Sequence, residues 1–173
     1  EMVLEAIPHI GYLHRCAEKI GENVAYYQYI PYTDRMDYLS PLIYNCAYVM
    51  AVEKLMGIQV TERCKVFRVI LMEMERIFSH LLWLGTTAID VGAFTPFLWA
   101  FQERENIYNL LEGWVGARLT TSATRVGGMA ADIPDKWLEG LQGFIRTFQR
   151  RSTSASECSP RMRSGWAARL DLA

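Results

Sequence analysis

The fold is decided by residues 61–90, which read TERCKVFRVILMEMERIFSHLLWLGTTAID. Apolar side chains recur in this stretch every three or four residues, which is the spacing of one face of an α-helix. They are Val66, Val69, Ile70, Ile77, Leu81, Leu84 and Ala88. Thr61 is placed to cap the helix, because its hydroxyl can accept a hydrogen bond from a backbone N–H of the first turn. The pattern predicts a helix of roughly seven turns that reaches Ile89.

Helical patterns continue upstream of this stretch. A first helix is predicted from near Ile10 into the Tyr26-Tyr27 region. A second helix is predicted to follow Asp37 and to stop at Gly57, because glycine is the preferred residue just past a helix end. The second helix is apolar on more than one side, so we expect it to be buried on most sides.

Downstream, two further helices begin at starts that contain proline. Thr95 as N-cap and Pro96 as first helical residue begin a fourth helix, which continues to about Val115. Asp132-Ile133-Pro134 begins a last helix. That helix carries Trp137, Leu141, Phe144 and Phe148. Residues 118–131 are less periodic, and Gly127-Gly128 marks a turn within them.

The predicted fold class is therefore all-α, a helical bundle with two glycine-rich loops. A hydrophobic content of 51% in 173 residues is enough to bury a sizeable core, so residues 1–149 are assigned to one domain. Residues 150–173 are rich in serine and arginine and have no apolar period. We predict that this tail is disordered.

Composition excludes several classes of function. With 18 Lys+Arg against 19 Asp+Glu, nothing indicates binding to nucleic acid. Cys16, Cys46, Cys64 and Cys158 are far apart without a C-x-x-C pair, which argues against a structural zinc or a self-contained iron–sulfur site. The three histidines likewise lack metal-ligand spacing, so no metal site is predicted. Glycine-rich nucleotide motifs are missing, and we do not expect this chain to bind NADH itself.

A membrane-spanning helix is not predicted either. The most apolar region, Leu81 to Phe101, is interrupted by Asp90 and Pro96, so it fails as a span of about 20 apolar residues. We expect membrane contact to be peripheral, through partner subunits only. Since no signal peptide opens the chain and its first residue is not Met, we also expect a fragment of a longer protein. The four widely spaced cysteines favour a reducing, cytoplasmic compartment.

Three polar segments lie among these apolar helices. They are Pro8 to Arg15, Ile30 to Tyr38 and Asp90 to Phe97, which read PHIGYLHR, IPYTDRMDY and DVGAFTPF. In this order they resemble the family of the D subunit, or 49-kDa-type subunit, of the bacterial NADH:quinone oxidoreductase, respiratory complex I. The resemblance extends from about Pro8 to about Pro134. It implies the helical core of the fold shared with nickel–iron hydrogenase large subunits, without its N-terminal β region and its C-terminal part.

The resemblance also implies a function. The chain would form part of the quinone-reducing site of a proton-translocating oxidoreductase. Electrons would come from an iron–sulfur cluster that the neighbouring B subunit holds, and this chain would bind no cluster of its own. Other expected partners are further subunits of the complex, the C subunit in particular. The expected location is the cytoplasmic side of the bacterial inner membrane.

Two residues are the candidates for catalysis. The neutral phenol of Tyr38 can donate a hydrogen bond to a carbonyl oxygen, and the resemblance implies that it binds the quinone headgroup. The alternative is that Tyr38 only caps a helix or bonds a backbone carbonyl. Asp90 ends an apolar helix and is expected to need a partner. The resemblance implies a histidine in an upstream loop, absent here; the alternative is a carboxylate open to water.

Five residues are candidates for contact with the quinone or the cluster. They are His14, Arg15, Thr86, Arg118 and Arg125. The resemblance implies that Arg15 and the segment from Arg118 to Gly128 face the cluster, where a positive charge would favour its reduced state. A merely solvated helix face is the alternative for His14 and Arg15. Within the segment, Thr120 and Ala123 replace the histidine and tyrosine of many relatives, so proton-coupled tuning by a histidine is not expected here.

Two alternatives to quinone reduction stay open at this stage. A nickel–iron hydrogenase would need a C-G-x-C pair where this chain has Arg35 to Tyr38. A non-catalytic helical scaffold would explain the apolar excess, but it would give no reason for Asp37, Tyr38 and Asp90. The tail departs from the family as well. Shifting the codons of residues 158–166 by one nucleotide permits a family-like continuation, so we predict that a frameshift, genuine or from sequencing, replaces the native ending from about residue 150.

Overall fold

The structure is a computed structural model that describes residues 2–151. Its elements, in chain order, are α1 (Ala17–Asn23), α2 (Tyr26–Thr33), α3 (Pro41–Met56), α4 (Glu62–Asp90), α5 (Thr95–Val115), β1 (Thr124–Arg125), β2 (Gly128–Met129) and α6 (residues 137–151). The all-α prediction is confirmed. The described residues add one antiparallel hairpin, whose two strands have two residues each. The predicted frameshift and nearly all of the predicted disordered tail lie outside the described residues.

The two central helices form where predicted, but the expectation that the first of them, α3, is buried on most sides is wrong, because Tyr44, Met50 and Leu55 are exposed. The hydroxyl of Thr61 accepts a hydrogen bond of 3.3 Å from the backbone N–H of Cys64, and α4 then continues without a break to Asp90. Helix α3 ends at Gly57, whose φ of 68° is the left-handed conformation that glycine adopts without steric cost. Local capping chemistry is therefore sufficient to fix both of these ends.

The predicted first helix is wrong. Residues up to Arg15 are not helical, Cys16 has a left-handed φ of 57°, and α1 begins only at Ala17. Ile10 and Leu13 are 96% and 89% exposed, so they have no core to pack against. An isolated helix of this length is marginal in water without such packing. The Tyr26-Tyr27 pair starts α2 instead of ending the first helix.

Two predicted helix starts also need correction. Thr95 is itself helical, and the cap position belongs to Phe94, which is already in the right-handed helical region. The backbone N–H of Phe97 bonds the carbonyl of Phe94 at 3.1 Å, so the first turn closes one residue earlier than predicted. The last helix begins at residue 137, after the Pro134 carbonyl accepts from the N–H of Trp137.

The core lies where α4, α5 and α6 meet. Leu71 and Phe78 from α4 pack with Ile107 and Leu111 from α5, and all four are almost completely buried. The rings of Trp114 and Trp137 close one side with centroids 5.2 Å apart. Each indole N–H reaches a backbone carbonyl, at 3.3 Å and 2.8 Å, so neither is buried without a partner. None of the helices described is both long and apolar enough to cross a membrane.

Thr61→Ala should destabilise the chain by about 1 kcal/mol, because the first turn of α4 loses its side-chain acceptor. Thr95→Ala is the matched control, since Thr95 is exposed and lies inside α5 instead of capping it. Denaturant unfolding of both variants measures the difference. Equal midpoints for the two variants would contradict the assignment of the cap.

Candidate functional site

The loop of residues 34–40 joins α2 to α3 and carries Tyr38. The side chain of Tyr38 is 62% exposed, and its hydroxyl bonds no residue in the described range 2–151. Hydrogen bonds inside the loop fix its backbone. Asp37 accepts a hydrogen bond of 3.0 Å from the N–H of Leu39, and its carbonyl accepts from the N–H of Ser40. The phenol is thus presented to the outside by a fixed turn.

Asp34 anchors the same loop to the segment 118–128. It is fully buried, and its Oδ2 accepts two hydrogen bonds from Ser122, 2.8 Å from the backbone N–H and 2.7 Å from the hydroxyl. Desolvation raises the pKa of Asp34, and the bonds from Ser122 oppose this increase without cancelling it. Sequence patterns alone did not single out Asp34. Its spacing of four from Ile30 would have been the signal, because both residues then share one buried helix face.

Asn45 makes a second buried link, from α3. Its amide nitrogen lies 3.4 Å from both the Ile30 carbonyl and the Thr33 hydroxyl, to which it donates. Its amide oxygen accepts from the backbone N–H of Thr124 at 3.1 Å and also from the Thr124 hydroxyl. One side chain therefore ties the end of α2 to the start of the hairpin.

An ion pair between Glu53 and Arg68 makes the third link. Both side chains are at least nine-tenths buried, and two N···O contacts of 2.8 Å and 2.7 Å join them. Arg68 also donates to the carbonyls of Arg125 and Gly128, while Glu53 accepts from the N–H of Gly127 at 2.8 Å. The bond from Arg68 holds the pKa of Glu53 below its usual value, and Glu53 raises the pKa of Arg68. We call these three links together the polar seam: Asp34–Ser122, Asn45–Thr124 and Glu53–Arg68 with the hairpin.

A buried carboxyl lies near the polar seam. Glu75 of α4 is fully buried, and neither of its oxygens has a hydrogen-bond partner among residues 2–151. Burial raises its pKa to about 8, although the nearby Arg104 lowers it; the carboxylates of Asp34 and Asp37 raise it further. The guanidinium of Arg104 lies 3.8 Å from the ring centroid of Phe78. At pH 7 the folded chain therefore favours the protonated, neutral form of Glu75.

The cluster-facing candidates differ in their surroundings. Arg118 is engaged by two acids of α5, at 2.5 Å to Glu105 and 3.2 Å to Glu112. Arg125 is exposed on β1, and no acid of the described residues pairs with it. The hydroxyl of Thr120 lies 3.5 Å from the Arg35 guanidinium, which donates to it. The loop of Tyr38 and the segment 118–128 are therefore joined directly.

Other predicted residues lie apart from this arrangement. His14 and Arg15 are exposed in the irregular stretch before α1, and Asp90 is an exposed carboxylate at the end of α4. Thr86 is exposed as well, and its hydroxyl bonds back to the carbonyls of its own helix. Within residues 2–151, no hydrogen bond or ion pair connects any of them to Tyr38. In the same range there is no group of three potential metal ligands.

Comparison with known proteins agrees with this architecture. The sequence model of a family described as the 49 kDa subunit of respiratory-chain NADH dehydrogenase matches residues 90–169. A protein named as the D subunit of NADH-quinone oxidoreductase from Methylacidiphilum infernorum is 54% identical over 148 residues, which are 86% of this chain and 35% of that relative. The relative of the same name from Wolinella succinogenes is 51% identical over 145 residues, 84% of this chain and 36% of its own length.

A third relative of that name, from Bacillus cereus, is 53% identical over 145 residues, 84% of this chain and 40% of its own length. The chain thus spans between 35% and 40% of the length of these curated relatives. The chain belongs to the family of the 49 kDa subunit of respiratory-chain NADH dehydrogenase.

Proposed function

We propose that this chain forms part of the quinone-reducing site of an NADH:quinone oxidoreductase. The single observation that carries the proposal is the geometry of Tyr38, an exposed phenol without a partner among residues 2–151, on a loop that Asp34 anchors to the segment 118–128. The names of the relatives supply the reaction, since each is called the D subunit of an NADH-quinone oxidoreductase. In this proposal, quinone binds at Tyr38 on the loop of residues 34–40, and the electrons arrive from the side of the segment 118–128.

The chemistry follows from the charge of each group. A neutral phenol donates a hydrogen bond to a quinone carbonyl, and this bond strengthens as the oxygen gains negative charge during reduction. The phenol can also pass its proton on if an acid relay resupplies it. Asp90, an exposed carboxylate, is free to accept an outside partner and to set the charge of that relay.

The electrons would come from an iron–sulfur cluster of a neighbouring subunit, which supplies them one at a time. The exposed guanidinium groups of Arg15 and Arg125 have no acidic partner within the described part of the chain, so they fit a role beside an anionic cluster. Arg118 fits this role less well, because two carboxylates already neutralise it.

Partner subunits are supported by exposed apolar surface. Large hydrophobic side chains stand more than half exposed where α4 ends and α5 begins; they are Trp83, Leu84, Phe94, Leu98 and Trp99. An apolar surface of this kind is typical of an interface with another protein. We assign it to other subunits of the complex, with the B and C subunits as the expected neighbours. The assembly would lie on the cytoplasmic face of the bacterial inner membrane, with this chain peripheral to it.

Tyr38→Phe in the assembled oxidoreductase tests the proposal. Loss of the hydroxyl should slow quinone reduction by about 100- to 1,000-fold, since one transition-state hydrogen bond is removed. Reduction of the cluster by NADH should persist, because electron entry does not involve the phenol. Stopped-flow spectroscopy measures the two rates separately. Unchanged quinone reduction would favour a scaffold, and equal loss of both rates would count against a local role for Tyr38.

A further inference from the structure

Ser122 has a backbone conformation that needs outside support. Its φ of 45° lies in the left-handed region, which costs a residue with a Cβ roughly 1–2 kcal/mol. Both of its donors, the backbone N–H and the hydroxyl, bond one oxygen of Asp34. Ser122 is separated from Asp34 by 88 positions in sequence. The backbone conformation at Ser122 therefore depends on Asp34, a residue of the loop 34–40 that carries Tyr38. We call this loop the tyrosine loop.

Asp34 is also a sensitive position for that loop. It directly follows the last residue of α2 and lies four residues before Tyr38. Its Oδ1 has no hydrogen-bond partner among residues 2–151, so both hydrogen bonds from the segment end on Oδ2. Because both groups are buried, water cannot replace the bonds if Asp34 is removed. Replacing Asp34 should therefore affect both the loop of residues 34–40 and the segment around Ser122.

The rest of the polar seam separates this effect from unfolding. Asn45 holds Thr124, and the Glu53–Arg68 pair holds Gly127 and Gly128, without help from Asp34. The hairpin should therefore stay on α3 when Asp34 is replaced. Residues 118–122 and the turn that presents Tyr38 should gain mobility, with the 3.5 Å hydrogen bond from Arg35 to Thr120 as a remaining link between them.

We propose that Asp34 is a positioning residue that couples the tyrosine loop, residues 34–40, to residues 118–122, so that the quinone-binding phenol of Tyr38 stays in register with the segment that leads to Arg125. This role rests on the function proposed above, because Asp34 would position the phenol of the quinone-reducing site. Asp34 touches neither quinone nor cluster in this scheme. It acts through Ser122 on one side and through the loop backbone on the other.

Asp34→Ala and Asp34→Asn in the assembled oxidoreductase test the coupling. The alanine variant should raise the KM for a short-chain quinone by about tenfold, because small displacements of positioning groups have effects of that size. It should also change the paramagnetic resonance spectrum of the reduced cluster, because residues 118–122 at the start of the cluster-facing segment lose their anchor. The asparagine variant should restore both, since its amide oxygen can still accept the two bonds from Ser122.

Hydrogen exchange provides a readout that is independent of activity. In Asp34→Ala, peptides covering residues 34–40 and 118–122 should both exchange faster than in the parent, while the hairpin should keep the exchange rate of the parent. Asp135→Ala is the matched control, because Asp135 is exposed, and it should alter no readout. If Asp34→Ala does not assemble, Ser122→Ala removes only the hydroxyl bond and should shift the same quantities in the same direction by less.

Three outcomes overturn the coupling. They are unchanged exchange, faster exchange on one side only, and faster exchange on both sides with the KM and the cluster spectrum unchanged. The proposed function fails separately, if Tyr38→Phe leaves quinone reduction intact. A Tyr38→Phe variant that loses quinone reduction beside an Asp34→Ala variant with parent-like kinetics would reject the positioning role alone.

Discussion

Arg68→Met should lower the free energy of unfolding by about 3–5 kcal/mol, the usual cost of removing one partner of a buried ion pair. The Glu53 carboxylate would be left buried at 5% exposure without its guanidinium. The partly buried carbonyls of Arg125 and Gly128 would lose their donor at the same time, which adds to the cost. Urea unfolding of the chain at pH 7 measures the change.

The matched control is Arg76→Met on the same helix. Arg76 also pairs with a glutamate, Glu73 at 2.8 Å, but both side chains are more than half exposed. The control should therefore cost less than about 1 kcal/mol. The double variant Glu53→Met/Arg68→Met should be more stable than Arg68→Met alone, because no uncompensated charge stays buried. Equal costs for Arg68→Met and Arg76→Met would reject the buried pair as the anchor of the hairpin.

Glu75→Gln should stabilise the chain at alkaline pH by on the order of 3–5 kcal/mol. The pKa of Glu75 is about 8 in the folded chain, against an ordinary value of 4.5. Between these values the folded state keeps a proton that the unfolded state has lost. Stability contributed by this group therefore falls as pH rises from about 4.5 to about 8, and glutamine, which resembles the protonated acid, does not show that fall.

Unfolding free energies at pH 5, 7 and 9 test this prediction. The difference between Glu75→Gln and the parent should be small at pH 5 and should grow towards pH 9. Glu73→Gln is the control, since Glu73 lies on the same helix with its side chain 54% exposed, and its curve should run parallel to that of the parent. A Glu75→Gln curve that is also parallel would mean that Glu75 is ionised in the folded chain.

Local signals in the sequence predicted what depends on neighbouring residues. The hydroxyl of Thr61 and the left-handed Gly57 set the ends of α4 and α3, and both can be recognised within one turn of the helix. The stretch from Ile30 to Tyr38 was recognisable as a candidate site because it combines charges and phenols. The family resemblance added roles for Tyr38 and Asp90, which the geometry leaves as proposals.

Contacts between distant parts of the chain were not predictable in this way. The pairing of Asp34 with Ser122, or of Asn45 with Thr124, depends on how α2, α3 and the hairpin come together. The same reason explains the error at Ile10 and Leu13, whose helical spacing is real but has no surface to pack against. Periodicity indicates which face of a helix is apolar, but not whether another element covers it.

The Glu53–Arg68 pair of α3 and α4 holds the tip of the hairpin through main-chain atoms alone. Arg68 and Glu53 hold it through two carbonyl oxygens and one backbone N–H. Every amino acid supplies these main-chain atoms, apart from the N–H that proline lacks. The exposed position of Arg125 can therefore mutate without loosening the attachment. Selection can thus alter the charge that this tip offers to a partner while the scaffold beneath it is inherited unchanged.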